Sequence, residues 1–405
     1  MTKINFKTTN CIQNNYLNKS LLQKINKDYA KLEKEIFSDI NNSDQTLNIL
    51  SKKYKFSFRI NDIKKYKKYK NIVVIGMGGS ILGAEAIYGF LEKKIKKKFY
   101  FFDDLNSKKN INFKKKIKSN KTLFIIISKS GETTETLSNL ISLGILKKNS
   151  KNIITISEKN KNTLYNISQK FNLFHIEHNK NVGGRYSVLS EVGIIPAYLM
   201  GVNILNFRSN ILSFTKNGKG KFLKESVKLL VNLLKRNKIK NLVFLNYSPE
   251  LENFLFWCQQ LLAESLGKKE KGFLPIISSA PKDHHSLLQL YLDGPKDKLF
   301  YIFSIDEEPN VKIITKNVLN KKHFLNKKTI KNVKDAQKNA LIETLKKKNI
   351  PFREFIIKKI NETVLGEMFS YFILETVLIG KLIKINPYDQ PAVEQVKILT
   401  KKLLN

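Results

Sequence analysis

Short apolar segments alternate with helix-like patterns between residues 55 and 200. The apolar segments are 71–75, 99–102, 122–127, 153–156 and 173–176, and apolar residues recur at helical spacing over 83–94 and 134–146. Short buried strands separated by helices are typical of a parallel sheet that is covered by helices on both faces. We therefore expect this part of the chain to form a doubly wound α/β domain.

A second alternation of the same kind occupies the rest of the chain, although no strong internal sequence repeat relates the two halves. Strands are expected at 241–245, 272–277, 299–303 and 352–357, with helices at 250–266 and around 284–292. The lysine-rich segment 201–235 indicates a linker with a crossover helix at 222–234, and the charged segment 305–338 indicates an irregular, solvated excursion. The two halves are thus interpreted as related α/β units.

The two ends of the chain are predicted to be helical. Residues 1–50 place Leu21, Ile25, Tyr29 and Leu32 at helical spacing among polar residues, which indicates an outer helical layer. A long apolar helix at about 363–383 precedes a turn at 386–387 and a last helix from Pro391. The expected organisation is an N-terminal helical segment (1–54), a first α/β domain (55–200), a second α/β domain (201–380) and a C-terminal helical arm (381–405).

The composition is that of a folded protein with an excess of lysine. The chain has 405 residues, 42% of them hydrophobic, and a formal net charge of +39. Such a charge can indicate nucleic-acid binding. The lysines, however, are scattered over most of the chain instead of forming one stripe, so we prefer a lysine-biased composition on an ordinary fold, with neither nucleic acid nor a membrane as a partner.

The sequence is expected to be that of a cytoplasmic protein. Its first ten residues, MTKINFKTTN, lack the apolar core of a signal peptide, and no apolar run reaches the ~18 residues needed to cross a bilayer. Cys11 and Cys258 form neither a disulfide framework nor a metal-binding pattern. Cys258 lies in the apolar run FLFWC and is expected to be a core residue.

The segment 72–83, IVVIGMGGSILG, predicts an anion site at a strand-to-helix turn. Its run of β-branched residues stops at Gly76, and Gly78, Gly79 and Ser80 precede a helical pattern. Glycines let the backbone approach a ligand closely, and the free N–H groups of a first helical turn attract anions. The glycine spacing differs from that of dinucleotide-binding loops. The expected ligand is therefore a phosphate-sized anion.

A second cluster of the same kind comes after the segment 122–127, where residues 128–136 read SKSGETTET. The hydroxyl groups of Ser128, Ser130, Thr133 and Thr136 are concentrated where a helix should begin, and the two threonines share a helix face. Serine and threonine are also common helix caps, so one such cluster decides little. Two of them at successive strand ends of one sheet favour a phosphate site.

Arginine is rare in this chain and occurs only at Arg59, Arg185, Arg208, Arg236 and Arg353. Where lysine fills most basic positions, an arginine can mark a place that needs its planar group of five donors. Arg185 follows a double glycine, where it could bind a phosphate or a developing oxyanion. A turn that carries a surface arginine explains the same residues equally well.

Two further segments carry candidates for proton transfer. Gln260 and Glu264 are four residues apart on one face of a predicted helix, and Glu264 could act as a general base, although an ordinary helix charge is the commoner interpretation. His284 and His285 precede Gln289 and fit a loop or a proton relay equally well. They lack a third ligand at metal-site spacing.

Residues 386–397 read NPYDQPAVEQVK and form a turn that starts a helix, with Pro391 suited to the first helical position. Gln390 and Lys397 are seven residues apart, which would place them two turns apart on one helix face. On lysine frequency alone, Lys397 would be one more surface residue.

Taken together, six motifs resemble those of the phosphoglucose isomerase family, whose domains have the sugar-isomerase (SIS) fold. They are IGMGGSILG (75–83), SKSGETTET (128–136), GGRYSVLS (183–190), QQLLAES (259–265), DHHSLLQ (283–289) and NPYDQPAVEQVK (386–397), in the family's order. The resemblance covers the chain from about residue 55 and implies two SIS-type domains. It also implies isomerisation of glucose 6-phosphate and fructose 6-phosphate through a cis-enediol, in glycolysis and gluconeogenesis, without cofactor or metal.

The resemblance also implies a role for each candidate residue. The substrate phosphate would be held by Ser80, Ser128, Ser130, Thr133 and Thr136, with Gly79 and Lys129 beside them and with Gln260 and Gln390 lining the site. Glu264 would move the proton between C1 and C2, and Arg185 would stabilise the enediolate. His285 and Lys397 would assist ring opening. His285 is preferred to His284 because the family has its histidine before Ser-x-x-Gln. The family's site lies between the two subunits of a homodimer, with that histidine donated across the interface.

Departures from the family pattern leave two alternatives open. The chain is short for the family, Pro391-Ala392 stands where the family often has Pro-Gly or Trp-Gly, and Ser130-Gly131-Glu132 is of the bacterial or archaeal type. A dual phosphoglucose/phosphomannose isomerase is therefore a second hypothesis. A non-enzymatic SIS protein that only binds sugar phosphates is a third, and the presence of Glu264, Arg185 and Lys397 counts against it.

Overall fold

The computed structural model describes residues 6–116, 121–215, 219–307, 309–316, 318–320 and 322–404. Parts of the N-terminal segment, of the expected linker and of the expected excursion therefore lie outside the described residues.

The strands are β1 (Phe6–Cys11), β2 (Asn71–Ile75), β3 (Lys98–Phe102), β4 (Thr122–Ile127), β5 (Ile153–Ser157), β6 (Phe174–Glu177), β7 (Asn241–Asn246), β8 (Leu274–Ser279), β9 (Lys298–Ile305) and β10 (Phe352–Ile357). The helices are α1 (Lys19–Asn41), α2 (Ile60–Lys64), α3 (Leu82–Leu91), α4 (Ser107–Lys116), α5 (Thr134–Ser142), α6 (Thr163–Lys170), α7 (Glu191–Met200), α8 (Ile204–Ser209), α9 (Lys219–Arg236), α10 (Glu252–Leu266), α11 (Leu288–Asp293), α12 (Ile330–Lys347), α13 (Glu362–Leu382) and α14 (Glu394–Leu404).

The first sheet has the strand order β3-β2-β4-β5-β6, and all of its strands are parallel. Alternate residues of β2 enter two different cores: Ile72 and Val74 pack on one face of the sheet, and Val73 and Ile75 pack on the other. A sheet that is covered on both faces needs strands that are apolar throughout. The predicted doubly wound arrangement is confirmed.

The topology of this sheet places its two polar loops beside each other. From β2 the chain passes to β3 on one side and later returns to β4 on the other side, so the direction of winding reverses between β2 and β4. Ligands of doubly wound sheets bind in the crevice at such a point, outside the carboxyl ends of the strands. The segments 76–80 and 128–136 come directly after β2 and β4 and flank this crevice.

The second sheet has the order β1-β10-β9-β7-β8, with β1 antiparallel to β10 and the remaining strands parallel. The expectation of helix over residues 1–50 is therefore wrong for Phe6–Cys11, although α1 (Lys19–Asn41) confirms it for the larger part of that segment. Strand β1 is an edge strand in which Phe6 is the only fully buried residue. Its sequence, FKTTNC, thus lacks the apolar run by which the central strands are recognised.

Two other expectations about the second half need correction. The segment 305–338 is not irregular throughout, because α12 begins at Ile330 behind a capping box formed by Thr329 and Asn332. The helix expected around 284–292 is divided into a 3₁₀ turn at Lys282–His285 and the short helix α11. The other strands of this half lie within a few residues of their predicted positions.

Helix α13 forms the centre of the core. It is the one helix of the described residues that is long and apolar enough to cross a membrane by length and composition, with a mean hydropathy of 1.4 in its most apolar window. However, 94% of that window is buried inside the fold. A helix that is apolar on all sides and enclosed by protein is a core helix.

A buried ion pair connects this helix to the second sheet. Arg353 of β10 and Glu375 of α13 are 1% and 0% exposed, and their side chains meet at 2.9 Å. Arg353 also donates to the hydroxyl groups of Tyr301 and Tyr371 and to Asn10 Oδ1 of β1. Its guanidinium therefore joins β1, β9, β10 and α13 at one point.

We predict that Arg353→Met strongly destabilises the protein. Removal of one partner leaves the Glu375 carboxylate buried without its counter-charge, which typically costs about 3–5 kcal/mol of the free energy of unfolding. Urea unfolding followed by circular dichroism should show a clearly lower midpoint. The matched control is Arg59→Met, which removes an exposed ion pair with Asp62 and should leave the midpoint in place. Equal shifts for the two variants would contradict this role of Arg353.

Candidate active site

A cavity of about 280 Å³ lies in the crevice between the ends of β2 and β4. Gly79 and Ser80 line it from the loop after β2, and Lys129, Ser130 and Thr133 line it from the loop after β4. Its opposite wall comes from the second half of the chain, chiefly from α10 and from the segment that begins α14. The two predicted anion loops therefore form one site.

The glycines of the first loop allow three segments of chain to meet at van der Waals distance. A Cβ atom on Gly79 would lie 2.1 Å from the carbonyl carbon of Gly184, so the loop after β2 and the Gly183–Arg185 turn touch backbone to backbone. Gly78 has a φ of +51°, and a Cβ there would lie 2.5 Å from Nε2 of Gln260 on α10. A side chain at Gly79 would separate the walls of the cavity, and one at Gly78 would displace the amide of Gln260.

The loop after β4 presents hydroxyl groups to the cavity at the start of α5. Thr133 is the residue before this helix, and its hydroxyl group caps no backbone N–H but lies 2.8 Å from the hydroxyl group of Ser128. A Cβ on Gly131, which has a φ of +67°, would collide with the side chain of Asn162, so the loop also packs closely on the loop after β5. The hydroxyl groups of Ser130 and Thr133 and the positive end of the helix suit an anion.

Two of the predicted phosphate residues lie behind the cavity wall. Ser128 is 1% exposed and contacts the cavity only through Thr133, while Thr136 is fully buried. The hydroxyl oxygen of Thr136 has no hydrogen-bond partner among the described residues. Their expected contact with the substrate phosphate therefore stays a prediction.

Arg185 is buried, with 3% of its side chain exposed, and each of its donor groups has an acceptor. Nε donates to Ser265 Oγ at 2.8 Å, and Nη2 donates to the carbonyl oxygens of Pro387 and Asp389 at 2.6 and 2.9 Å. Nη1 makes two longer contacts of 3.2 Å, to Glu264 Oε2 and to Gln390 Oε1. The side chain therefore joins the glycine turn, α10 and the C-terminal segment, as a surface arginine would not.

The expectation that Gln260 and Glu264 share a helix face is confirmed. Gln260 Nε2 donates to Glu264 Oε1 at 2.9 Å, and both side chains line the cavity. The other oxygen of Glu264 contacts Arg185, so the carboxylate is oriented from both sides. Gln260 Oε1 is buried and has no partner in the part of the chain that the structure describes.

The C-terminal candidates reach the cavity in a different way from the one expected. Gln390 precedes a 3₁₀ turn at Pro391–Val393, and α14 begins only at Glu394, so Gln390 and Lys397 do not lie on one helix face. Both side chains nevertheless line the cavity. Lys397 is 58% exposed, and its Nζ lies 2.7 Å from Glu394 Oε1.

The histidine pair lies outside the cavity of this chain. His285 is exposed on the 3₁₀ turn after β8, whereas the ring of His284 contacts the hydroxyl group of Tyr247 at 2.8 Å. Burial and the neighbouring His285 lower the pKa of His284. Of the two, His285 is the one free to contact another molecule.

Sequence reasoning missed Glu158, which also lines the cavity. Its Oε1 lies 3.7 Å from Nζ of Lys129, and Nζ also donates to the carbonyl oxygen of Lys180 at 2.7 Å. Burial lowers the pKa of Lys129, and Glu158 opposes this shift. The signal that could have found Glu158 is its place directly after β5, at the same sheet edge as the two anion loops.

The sequence comparisons agree with the motifs. A family model described as phosphoglucose isomerase matches residues 25–405. The glucose-6-phosphate isomerase of Methanocaldococcus jannaschii is 33% identical over 358 residues, which cover 85% of this chain and 87% of that protein. The enzyme of the same name from Campylobacter jejuni is 32% identical over 384 residues, which cover 89% of this chain and 90% of that protein.

Solved structures show the same fold. A hypothetical protein of Thermus thermophilus superposes with a TM-score of 0.83 at 23% identity, over 98% of this chain and 100% of that one. A glucose-6-phosphate isomerase from Chlamydia trachomatis superposes with a TM-score of 0.77 at 16% identity, over 99% of this chain and 88% of that one. At such identities the likeness concerns the fold alone.

We predict that Gly79→Ala separates the two loops that build the cavity. The added methyl group has backbone atoms of Gly184 and Arg185 within 2.4 Å, and overpacking of this kind costs on the order of 1–3 kcal/mol. The melting temperature should fall, and calorimetric titration should show weaker binding of inorganic phosphate. Gly184→Ala is the control for stability, because its Cβ would meet only Gly79 Cα at 3.9 Å. Equal melting temperatures for the two variants would contradict the close contact.

Proposed function

The chain belongs to the phosphoglucose isomerase family and is an enzyme that interconverts glucose 6-phosphate and fructose 6-phosphate, and we propose that it does so at the cavity between β2 and β4. The observation that carries this proposal is the pairing of Glu264 and Arg185 at 3.2 Å, opposite the hydroxyl groups of the loop after β4. A protein that only bound a sugar phosphate would need the hydroxyl groups but not this pair.

In this proposal the phosphate group anchors the substrate. Ser80, Ser130 and Thr133 donate their hydroxyl groups to it, and the free N–H groups at the start of α5 add their positive potential. Ser128 contacts the hydroxyl group of Thr133 from behind the wall, and direct contact of Ser128 and Thr136 with the phosphate stays a prediction. The anchoring leaves the sugar carbons to lie toward α10 and fixes their position before the chemical step.

Glu264 is the proposed base for the isomerisation. It takes the proton from C2 of the open-chain aldose, and the electrons of that C–H bond form the C1–C2 double bond of a cis-enediol. The same carboxyl group returns the proton to C1, while the hydroxyl proton on O2 is lost and O1 gains one. Gln260 holds Glu264 Oε1 during these transfers, because it donates to that atom.

Arg185 is the proposed partner of the enediolate oxygen. Its contacts through Nε and Nη2 are short and fix the guanidinium, whereas the contacts of Nη1 to Glu264 and Gln390 are longer. An oxyanion can therefore replace one of these longer contacts without moving the side chain. A fixed positive charge at the place where negative charge develops stabilises a transition state strongly.

Ring opening is assigned to Lys397 and to a histidine of a second copy of the chain. His285 is exposed on this chain and far enough from its own cavity not to line it, so a homodimer in which His285 of the partner subunit enters the cavity accounts for both facts. The exposed apolar residues of the C-terminal arm, chiefly Val396, Ile398 and Leu403, also favour burial against a partner. Cytoplasmic glycolysis and gluconeogenesis, the setting that the family implies, belong to the same proposal.

We predict that Glu264→Gln abolishes most of the isomerase activity. The loss of a general base costs about 10²–10⁴ in kcat, while the amide should keep the contact with Gln260 and leave the phosphate residues in place. A coupled assay on fructose 6-phosphate without added metal measures the rate, and calorimetric titration with the same compound measures binding. Glu252→Gln, an exposed residue on the same helix, should keep full activity.

Two outcomes of this experiment would overturn parts of the proposal. Wild-type protein that binds fructose 6-phosphate and converts none of it would favour a sugar-phosphate-binding protein over an enzyme. A Glu264→Gln variant with wild-type kcat would leave the activity in place and assign the proton transfer to another group.

The shared site predicts complementation between two inactive variants. A heterodimer of Glu264→Gln and His285→Asn subunits contains one site with both defects and one site with neither, so it should have roughly half of the wild-type activity. Co-expression with two different affinity tags allows the heterodimer to be purified. If the histidine acted within its own subunit, the heterodimer would be no more active than the two parent variants.

A further inference from the structure

The cavity wall beside the proposed phosphate site carries a negative charge for which the reaction gives no reason. This charge belongs to Glu158, at the end of β5. We propose that Glu158 limits the affinity of the cavity for the phosphate group by offsetting the charge of Lys129. The inference rests on the proposed function in one respect, namely that the phosphate binds beside Lys129.

The geometry shows that Glu158 is not needed to orient the lysine. Lys129 Nζ is held by a short hydrogen bond of 2.7 Å to the carbonyl oxygen of Lys180, whereas its distance to the carboxylate is 3.7 Å. The backbone N–H of Glu158 donates to the Lys129 carbonyl at 3.0 Å, so the two residues are already joined through the main chain. The carboxylate of Glu158 therefore acts on Lys129 mainly through its negative charge and is not needed to position the lysine side chain.

A contribution to the stability of the fold does not explain the carboxylate of Glu158 either. The side chains of Lys129 and Glu158 are 30% and 24% exposed, and ion pairs of such exposure contribute little to stability because water screens them. Among the described residues, the second oxygen of Glu158 accepts only from Asn160, a neighbouring loop residue. The position of Glu158 in the wall of the cavity is the feature that remains to be explained.

The other charges of the cavity already have partners of opposite sign. Arg185 contacts Glu264, and Lys397 contacts Glu394. His178 adds no second positive charge at pH 7, because burial, together with the charge of Lys129, lowers its pKa to about 4. Among the described residues, Glu158 is the one carboxylate within ion-pair distance of Lys129, so it governs how much of that positive charge a phosphate group meets.

The consequence for catalysis comes from the place of Lys129. The phosphate group does not react, so stronger binding of it stabilises the substrate, the transition state and the product equally. Uniform binding of this kind lowers KM without raising kcat. It would also strengthen the competition from free inorganic phosphate. A carboxylate beside Lys129 weakens the binding of the phosphate group alone, so tight binding also requires contacts with the sugar.

The test uses Glu158→Gln, which removes the charge and keeps the size and the acceptor for Asn160. We expect the dissociation constant of inorganic phosphate and the KM for fructose 6-phosphate both to fall by about three- to tenfold at low ionic strength, with kcat unchanged. In about 1 M salt, where the Debye length is about 3 Å, the difference should largely disappear. Glu158→Asp, which keeps the charge, should retain an affinity close to that of the wild type.

Glu132→Gln is the matched control, because Glu132 lies in the loop after β4 but directs its carboxylate to the N–H and hydroxyl groups of Thr163. It should leave the dissociation constant of phosphate unchanged. Phosphate binding by Glu158→Gln that is equal to that of the wild type would overturn the proposal. Weaker binding would also overturn it and would assign Glu158 to the orientation of Lys129. Circular dichroism and melting temperature establish that each variant is folded.

The titration with inorganic phosphate separates this inference from the proposed function, because it needs no turnover. A wild-type protein that isomerises fructose 6-phosphate, together with a Glu158→Gln variant of unchanged phosphate affinity, would overturn the role of Glu158 alone. A wild-type protein without turnover, together with a variant that binds phosphate more tightly, would overturn the enzymatic mechanism and support the role of Glu158.

Discussion

The site depends above all on the complete pairing of one buried guanidinium. Arg185 cannot be buried without acceptors for its N–H groups. These acceptors are the side chains of α10, the carbonyl oxygens of Pro387 and Asp389, and Oε1 of Gln390. The requirement fixes the C-terminal segment against the first domain and places Gln390 at the cavity. A lysine at the same position has neither the number of donors nor the planar arrangement to do this.

The contacts between the loops depend on the same constraint. Gly184 lies directly on Gly79, so a side chain on Gly79 would push away the turn that carries Arg185. In this way Gly79, which has no chemical group of its own, keeps the Arg185 turn and its partner Glu264 close to the hydroxyl groups of the other wall. The positions of the polar groups in the cavity therefore depend directly on the close packing of the loops.

Much of this could be predicted from the sequence, and the parts that could not have a common cause. The buried parallel strands carry continuous apolar runs, and the pair Gln260 and Glu264 reflects helical spacing, so local patterns predict them. Strand β1 owes its place to β10, which is distant in sequence, and FKTTNC has no apolar run. The prediction that Gln390 and Lys397 share a helix face is wrong because a 3₁₀ turn separates Gln390 from α14, and the local sequence gives no sign of this turn. The burial of Ser128 and Thr136 behind the cavity wall likewise depends on tertiary packing.

The antiparallel strand β1 also bears on the order in which the chain can assemble during its synthesis. Phe6 pairs with Ile357, and at 5–20 residues per second the ribosome needs roughly 20–70 s to make the residues between them. The strands of the first sheet, by contrast, all lie between Asn71 and Glu177 and can pair long before Ile357 has been made. The cavity combines this early sheet with Lys397 of α14, so it is completed only after that residue has been made.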